Sequence, residues 1–445
     1  MKRDLVTLDD LSDREIESLF SLADEYLAAL GDLRRPPRVT GALQLAAGRI
    51  LSTLFYESST RTRLSFEAAM LRLGGQILAS ADPGKTSAAK GESIADTVRV
   101  IESYADLLVL RHPAEGAARL AAEFTETPLI NAGDGGHEHP TQTLCDLYTL
   151  RRANKALRGL SVLLCGDLKN GRTTHSLAYA LARFGAHIIP LPGSGLGLPD
   201  HVCRRLETDY HCTPVPREEH REMLNADTPL DVVYVTPTAP HQLSLLTSTG
   251  ATDDGEAERR IQLARRTLAN IDVCYVTRLQ RERLEGDLAP AAYPIVDKKF
   301  LSERRYKNAQ VMHPLPRVDE LAYDLDEDPR GVYFKQAAYG VPVRMALIAG
   351  LLRLRPEVLS AVPPPARYEV YKPSKRVRCT NPRCVTNLAS EQRYSTQKFW
   401  VIDSYTIRCA YCDVERRPRA RIARVEPSAA EWPAEPGEKP VEAGG

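Results

Sequence analysis

Short apolar runs alternate with helical spacings along most of this 445-residue chain, and that alternation limits the fold more than any other feature. Arg49–Tyr56, Gln76–Ala79, Asp106–Leu110 and Pro128–Asn131 read as buried strands. Between them, helical patterns run from Thr60 to Leu73, near Ser93–Tyr104 and near Glu115–Phe124. A second series starts at Gly159–Gly166 and a helix over Thr173–Phe184. It continues through His187–Leu191, Asp231–Thr236, Asp272–Thr277 and Gln310–Arg317 to a long helix over Tyr333–Leu354. Ahead of both series, Ser12-Asp-Arg-Glu15 matches a capping box and opens an amphipathic helix carrying Ile16, Leu19, Phe20, Ala23 and Leu27. Strands and helices in alternation predict parallel sheets covered on both faces. The expected fold class is α/β, with two parallel-sheet domains and a small β-rich unit near the C-terminus.

Functional side chains in such sheets gather at the carboxyl ends of strands. Ser58-Ser-Thr-Arg-Thr-Arg63 follows the first strand at a strand-to-helix turn, where unpaired N–H groups and the positive helix end collect anions. The plain alternative is an N-cap flanked by two solvated arginines. Arg111-His112 closes another strand. Gly133–Gln142 leads into a helix at Pro140, where a histidine is often only a cap; His139 and Gln142 nevertheless share one face. The Asp167–Arg172 loop lacks the full G-x-G-x-x-G pattern, so a dinucleotide site is discounted. Asp231–Thr236 and Asp272–Thr277 echo one another, which two β-rich strands do by coincidence. The stretch between them, from Pro237 to Ala269, is an insertion without an assigned role.

The net charge of +1 gives the whole chain no case for nucleic acid or membrane. No apolar run approaches the roughly 20 residues a spanning helix needs. Five of nine cysteines are scattered and four are clustered, which fits a reducing cytoplasm and one metal site. The cluster is Cys379-x4-Cys384 and Cys409-x2-Cys412, the pairwise spacing of a closed tetrahedral zinc site that is structural, with no open position for water. Residues 366–425 carry fourteen basic and five acidic side chains, a net of +9 that leaves −8 for the rest of the chain. Docking onto an acidic surface accounts for that charge; nucleic acid is the functional alternative.

The ordered set Ser-Ser-Thr-Arg-Thr-Arg, Arg-His-Pro (111–113), His-Pro-Thr-Gln (139–142), Gly-Arg-Thr (171–173), Arg-x-Gln (278–280) and His-Pro-Leu-Pro (313–316) resembles aspartate carbamoyltransferase catalytic chains, over residues 1 to about 355. The zinc segment resembles the metal domain of that enzyme's regulatory chain, without its nucleotide-binding domain. The resemblance implies that Ser59, Thr60, Arg61 and Thr62 hold the phosphate of carbamoyl phosphate, with Arg111 reaching phosphate and carbonyl. Thr62, Arg111 and His139 would polarise the carbonyl oxygen. Gln142 and the backbone carbonyls of Leu315 and Pro316 would hold the carbamoyl NH2. Arg172, Arg278 and Gln280 would hold the two carboxylates of L-aspartate. Ser87 and Lys90 would reach a phosphate in the neighbouring subunit of a homotrimer with shared active sites, open to pairing of trimers. Their loop is one residue shorter than the family pattern.

The implied organisation is a carbamoyl phosphate domain (1–150), an aspartate domain (151–340, insertion near 237–270) and a helix packing back on the first domain (341–355). A linker (356–375), a zinc domain (376–425) and a disordered tail (426–445) follow. Two competitors remain: a carbamoyltransferase for ornithine or another amine, and a non-catalytic homologue acting as an assembly partner. Ornithine enzymes typically carry Ser-Met-Gly and His-Cys-Leu-Pro, where this chain has Arg278-Leu-Gln280 and His313-Pro-Leu-Pro316.

Overall fold

The structure, a computed structural model, describes residues 2–31, 43–79, 90–153, 156–169, 171–192, 195–215, 230–236, 271–278, 295–302, 306–364, 367–371 and 377–418. Ser87, Gln280, the 237–270 insertion and the 426–445 tail lie outside them.

The first helix, α1 (Asp13–Leu30), starts at the capping box: Glu15 N donates to Ser12 Oγ at 3.3 Å, and Ser12 N donates to Glu15 Oε2 at 2.8 Å. The first domain then alternates β1 (Ile50–Phe55), α2 (Thr60–Arg72), β2 (Gln76–Ala79), α3 (Ile94–Ile101), β3 (Leu107–His112), α4 (Ala117–Ala122), β4 (Leu129–Asp134) and α5 (Pro140–Arg152). Its strands pair in parallel in the order β2-β1-β3-β4. The second domain contributes β5 (Ser161–Gly166), α6 (Arg172–Arg183), β6 (His187–Pro192), α7 (Asp200–Tyr210), β7 (Leu230–Val235), β8 (Ile271–Val276) and β9 (Gln310–Met312). These strands are also parallel, ordered β6-β5-β7-β8-β9. The echoed segments turn out to be neighbours, with Leu230 opposite Ile271 and Tyr234 opposite Tyr275. Both strands are buried on two faces, which selects the same near-continuous apolar sequence.

The last long helix, α8 (Tyr333–Leu351), packs on α1, α2 and α5 of the first domain. The boundary expected at 341 therefore falls inside one helix. The expected linker at 356–375 is also partly structured: Val358 and Leu359 are buried in the main core, and Val370–Tyr371 forms β10 against Trp400 and Phe399. A two-residue edge strand is too short to show alternation in sequence.

The C-terminal unit is an antiparallel sheet of β10, β11 (Phe399–Asp403), β12 (Thr406–Cys409) and β13 (Glu415–Arg416). It lies against the first domain and shares an apolar cluster with it. Val385, Phe399, Ile407 and Tyr411 join Val98, Leu108, Ala118 and Leu129. Gly116 makes the approach possible: its φ is +84°, and a Cβ there would meet Tyr411 Cβ at 2.5 Å. Main-chain bonds run from Glu115 N to Arg383 O (3.0 Å) and from Val385 N to Glu115 O (2.8 Å). The basic excess meets acids: Arg383 pairs with Glu115 at 2.9 Å, Lys398 with Glu123 at 2.6 Å and Arg408 with Asp209 of α7 at 3.2 Å.

Candidate active site and metal centre

The anion turn forms as the strand-helix junction requires. Ser59 is the N-cap of α2, and its hydroxyl lies 3.0 Å from that of Thr62, which is buried. The two arginines of the turn differ. Arg63 donates to Glu67 at 2.8 Å, and Glu67 also accepts from Thr53 at 3.2 Å. For Arg61, burial first and then the charge of Arg278, just beyond β8, lower the pKa. The Arg61 charge also reaches His313, whose imidazole is pushed down mainly by burial. A half-buried arginine beside a second cation suits anionic groups.

Arg111 is the last residue but one of β3, buried, donating to Ala132 O at 3.0 Å and standing 3.3 Å from Glu57. His139 is the N-cap of α5, its Nδ1 accepting from Gln142 N at 3.4 Å. Gly133 brings the two together. Its φ is +115°, and a Cβ there would stand 2.8 Å from Arg111 Nη1 and 3.3 Å from His139 Cδ2. The His313–Pro316 loop follows β9, with Leu315 N donating to His313 Nδ1 at 2.8 Å and a cis peptide between Leu315 and Pro316. Arg172 opens α6, but its side chain lies outside the described residues; Lys90 is exposed at the end of a segment that does too.

Three residues behind the site carried no signal that drew attention in sequence. Asp146, on α5, accepts from Gln142 Nε2 at 2.8 Å, from Gln336 Nε2 at 2.8 Å and from Tyr275 Oη at 2.9 Å. The i,i+4 spacing of Gln142 and Asp146 was the available clue.

Residues 3–152 match the family described as aspartate/ornithine carbamoyltransferase, carbamoyl-P binding domain, and residues 222–351 match its Asp/Orn binding domain. A catalytic subunit of aspartate carbamoyltransferase from Clostridium botulinum (strain Loch Maree / Type A3) is 41% identical over 360 residues, covering 79% of this chain and 99% of that one. The chain belongs to the aspartate carbamoyltransferase family. It is therefore a carbamoyltransferase, as the motif set implied. Among solved structures, the catalytic subunit of M. jannaschii aspartate transcarbamoylase in an orthorhombic crystal form is 38% identical, with a TM-score of 0.59, covering 80% of this chain and 99% of that one. The Trypanosoma cruzi enzyme in complex with carbamoyl phosphate is 31% identical, with a TM-score of 0.58, covering 78% and 95%.

Residues 374–419 match the family described as aspartate carbamoyltransferase regulatory chain, metal binding domain. The donor set fits a metal. Sγ atoms of Cys379, Cys384, Cys409 and Cys412 all lie within 4.8 Å of one another, with Cys379–Cys412 at 3.5 Å and Cys384–Cys409 at 3.8 Å. Sulfurs at the corners of a tetrahedron with bonds of about 2.3 Å stand about 3.8 Å apart, far beyond a disulfide's roughly 2.05 Å. No described helix is long and apolar enough to cross a membrane.

Proposed function

We propose that the chain transfers the carbamoyl group of carbamoyl phosphate to L-aspartate, giving N-carbamoyl-L-aspartate and phosphate in pyrimidine biosynthesis. The observation that carries this is the meeting of Arg111 and His139 over Gly133, beside the Ser59–Thr62 turn of the first domain, with Arg278 just beyond β8 of the second. A phosphate and a dicarboxylate acceptor need cations on opposite sides of one reacting carbon, and arginine suits both anions. An ornithine side chain carries an ammonium group, which the same cations would repel.

Ser59, Thr60, Arg61 and Thr62 hold the phosphate, with Arg111 spanning phosphate and carbonyl oxygen. The aspartate amine attacks the carbamoyl carbon, the new C–N bond forms and negative charge builds on the carbonyl oxygen. Thr62, Arg111 and His139 stabilise that oxygen as fixed donors. Gln142 and the Leu315 and Pro316 carbonyls hold the NH2 group, while Arg172, Arg278 and Gln280 orient the aspartate carboxylates. The bond between the carbamoyl carbon and the phosphate's bridging oxygen then breaks as the carbonyl re-forms, and the departing phosphate takes the amine proton. Ser87 and Lys90 complete the site of a neighbouring subunit in a homotrimer.

The metal is zinc, held by Cys379, Cys384, Cys409 and Cys412. Four thiolates saturate it, so it supplies folding energy and no chemistry. Nine unpaired cysteines suit the reducing cytoplasm. Incubating purified protein with carbamoyl phosphate and either aspartate or ornithine tests the reaction. Carbamoyl-aspartate with equimolar phosphate is expected; turnover of ornithine alone, or of neither, would overturn it.

A further inference from the structure

Gln142 has a carboxamide with one donor end and one acceptor end, and only the acceptor end can hold an NH2 group. What decides which end faces the substrate lies behind it. Asp146 stands one helical turn further along α5, 3% exposed, and a carboxylate can only accept. It takes Gln142 Nε2 at 2.8 Å, which turns Gln142 Oε1 the other way.

The same carboxylate oxygen fixes a second amide. Gln336, on α8, donates Nε2 to Asp146 Oδ1 at 2.8 Å and accepts His313 N on its Oε1 at 2.9 Å. His313 in turn anchors the loop through Leu315 N, which donates to His313 Nδ1 at 2.8 Å. Leu315 and Pro316 are the other acceptors assigned to the carbamoyl NH2. On the remaining side, Tyr275 of β8 donates to Asp146 Oδ2 at 2.9 Å, three residues before Arg278. Gln336 and Tyr275 are fully enclosed with it.

We propose that Asp146 is a positioning residue for carbamoyl transfer: it turns the Gln142 oxygen and, through Gln336 and His313, the Leu315–Pro316 loop toward one NH2 group. This rests on the assignment of Gln142, Leu315 and Pro316 to that group. The carboxylate does not touch substrate; it sets the direction in which acceptors point, and it refers first-domain and second-domain groups to a single atom pair. Burial pushes its pKa up to about 6, against the hydrogen bonds from Gln336, Gln142 and Tyr275, so it is ionised and purely accepting at neutral pH. A buried carboxylate with a raised pKa beside a reaction centre is more common at working sites than in inert cores.

The test is a double-mutant cycle on carbamoyl transfer. Asp146→Leu lets the Gln142 amide rotate, and kcat is expected to fall about tenfold or more. Asp146→Asn keeps an oxygen that accepts from Gln142 and Gln336, and is expected to retain at least half of kcat. In a Gln142→Ala background, Asp146→Leu should cost less than it does in the parent, because the part that passes through Gln142 is already lost and only the route through Gln336 and His313 remains. Asp146→Ala replaces the leucine variant in the cycle if thermal melting shows that protein to be unfolded. Full additivity of the two losses, or an asparagine variant as impaired as leucine, would overturn the proposal. Inactive unmodified protein would instead overturn the assigned reaction.

Discussion

At the scale of single residues, the turn after β1 holds two arginines, of which the family resemblance assigns Arg61 to phosphate and leaves Arg63 to support the turn. Arg63 is committed to Glu67, while the pKa of Arg61 is lowered by burial and then by the charge of Arg278. Arg61→Ala is expected to lower kcat/KM for carbamoyl phosphate by about 10²–10³-fold, the usual loss for one transition-state donor. Arg63→Ala should cost less than tenfold, with about 0.5–1 kcal/mol of stability lost with the Glu67 pair. Steady-state kinetics and melting on both variants check the division; equal kinetic losses would refute it. Asp146 yields a pH prediction with a definite sign. Its folded pKa of about 6 lies above the ordinary 3.8, so its stabilising contribution is full below 3.8 and lost as pH rises through 6. Asp146→Asn, which cannot ionise, should therefore be more stable than the parent at pH 8, by an order of 2–3 kcal/mol. The difference should vanish near pH 4. Denaturant unfolding at both pH values reads it directly.

At the scale of elements, the sequence pattern located strands and helices well because their cause is local. β1 through β8 are apolar runs bounded by turn residues, and Ser12-Asp-Arg-Glu15 caps α1 as its four residues prescribe. What escaped was settled by contacts distant in sequence. β10 exists because β11 offers it an edge, and Leu359 is buried because α8 returns to cover α1. Asp146 escaped for the same reason: Tyr275 and Gln336 reach it from 129 and 190 residues away. The motif residues were legible individually, but Gly133 as the spacer that lets Arg111 meet His139 was not. Gly116 is the corresponding spacer between α4 and the metal domain. Gly116→Ala puts a Cβ into Tyr411 at a positive φ, for an expected loss of about 1–3 kcal/mol. Limited proteolysis should then cut within 377–418 sooner than in the parent. Unchanged proteolysis and melting would mean that the contact yields without cost.

At the scale of the whole molecule, the metal domain grips both α/β domains through one charged junction. Arg205 of α7, in the second domain, reaches Asp413 beside Cys412 at 2.6 Å and Asp9 of the N-terminal segment at 2.9 Å, with Glu138 at 3.6 Å. His137, two residues before His139, lies 3.2 Å from the same Asp413 and 3.0 Å from Asp134. Burial opposes its charge, yet these carboxylates hold the imidazole well above its ordinary pKa. One buried arginine thus balances acids from three parts of the chain. Removing it leaves those carboxylates facing one another in a buried junction, so Arg205→Met is expected to cost about 3–5 kcal/mol. Replacing a buried ion pair wholesale with apolar groups is often harmless, which gives a discriminating comparison. Combining Arg205→Met with Asp413→Leu should recover part of the loss, because the variant chain then carries one buried carboxylate fewer. Metal bound by the four cysteines should be retained throughout, since neither variant changes any of their sulfurs. Denaturant unfolding of the two variants, with metal analysis of each, decides whether the junction is a charge balance. A double variant no more stable than Arg205→Met alone would show that Arg205 acts through packing on Tyr179, over whose ring it stands at 4.3 Å.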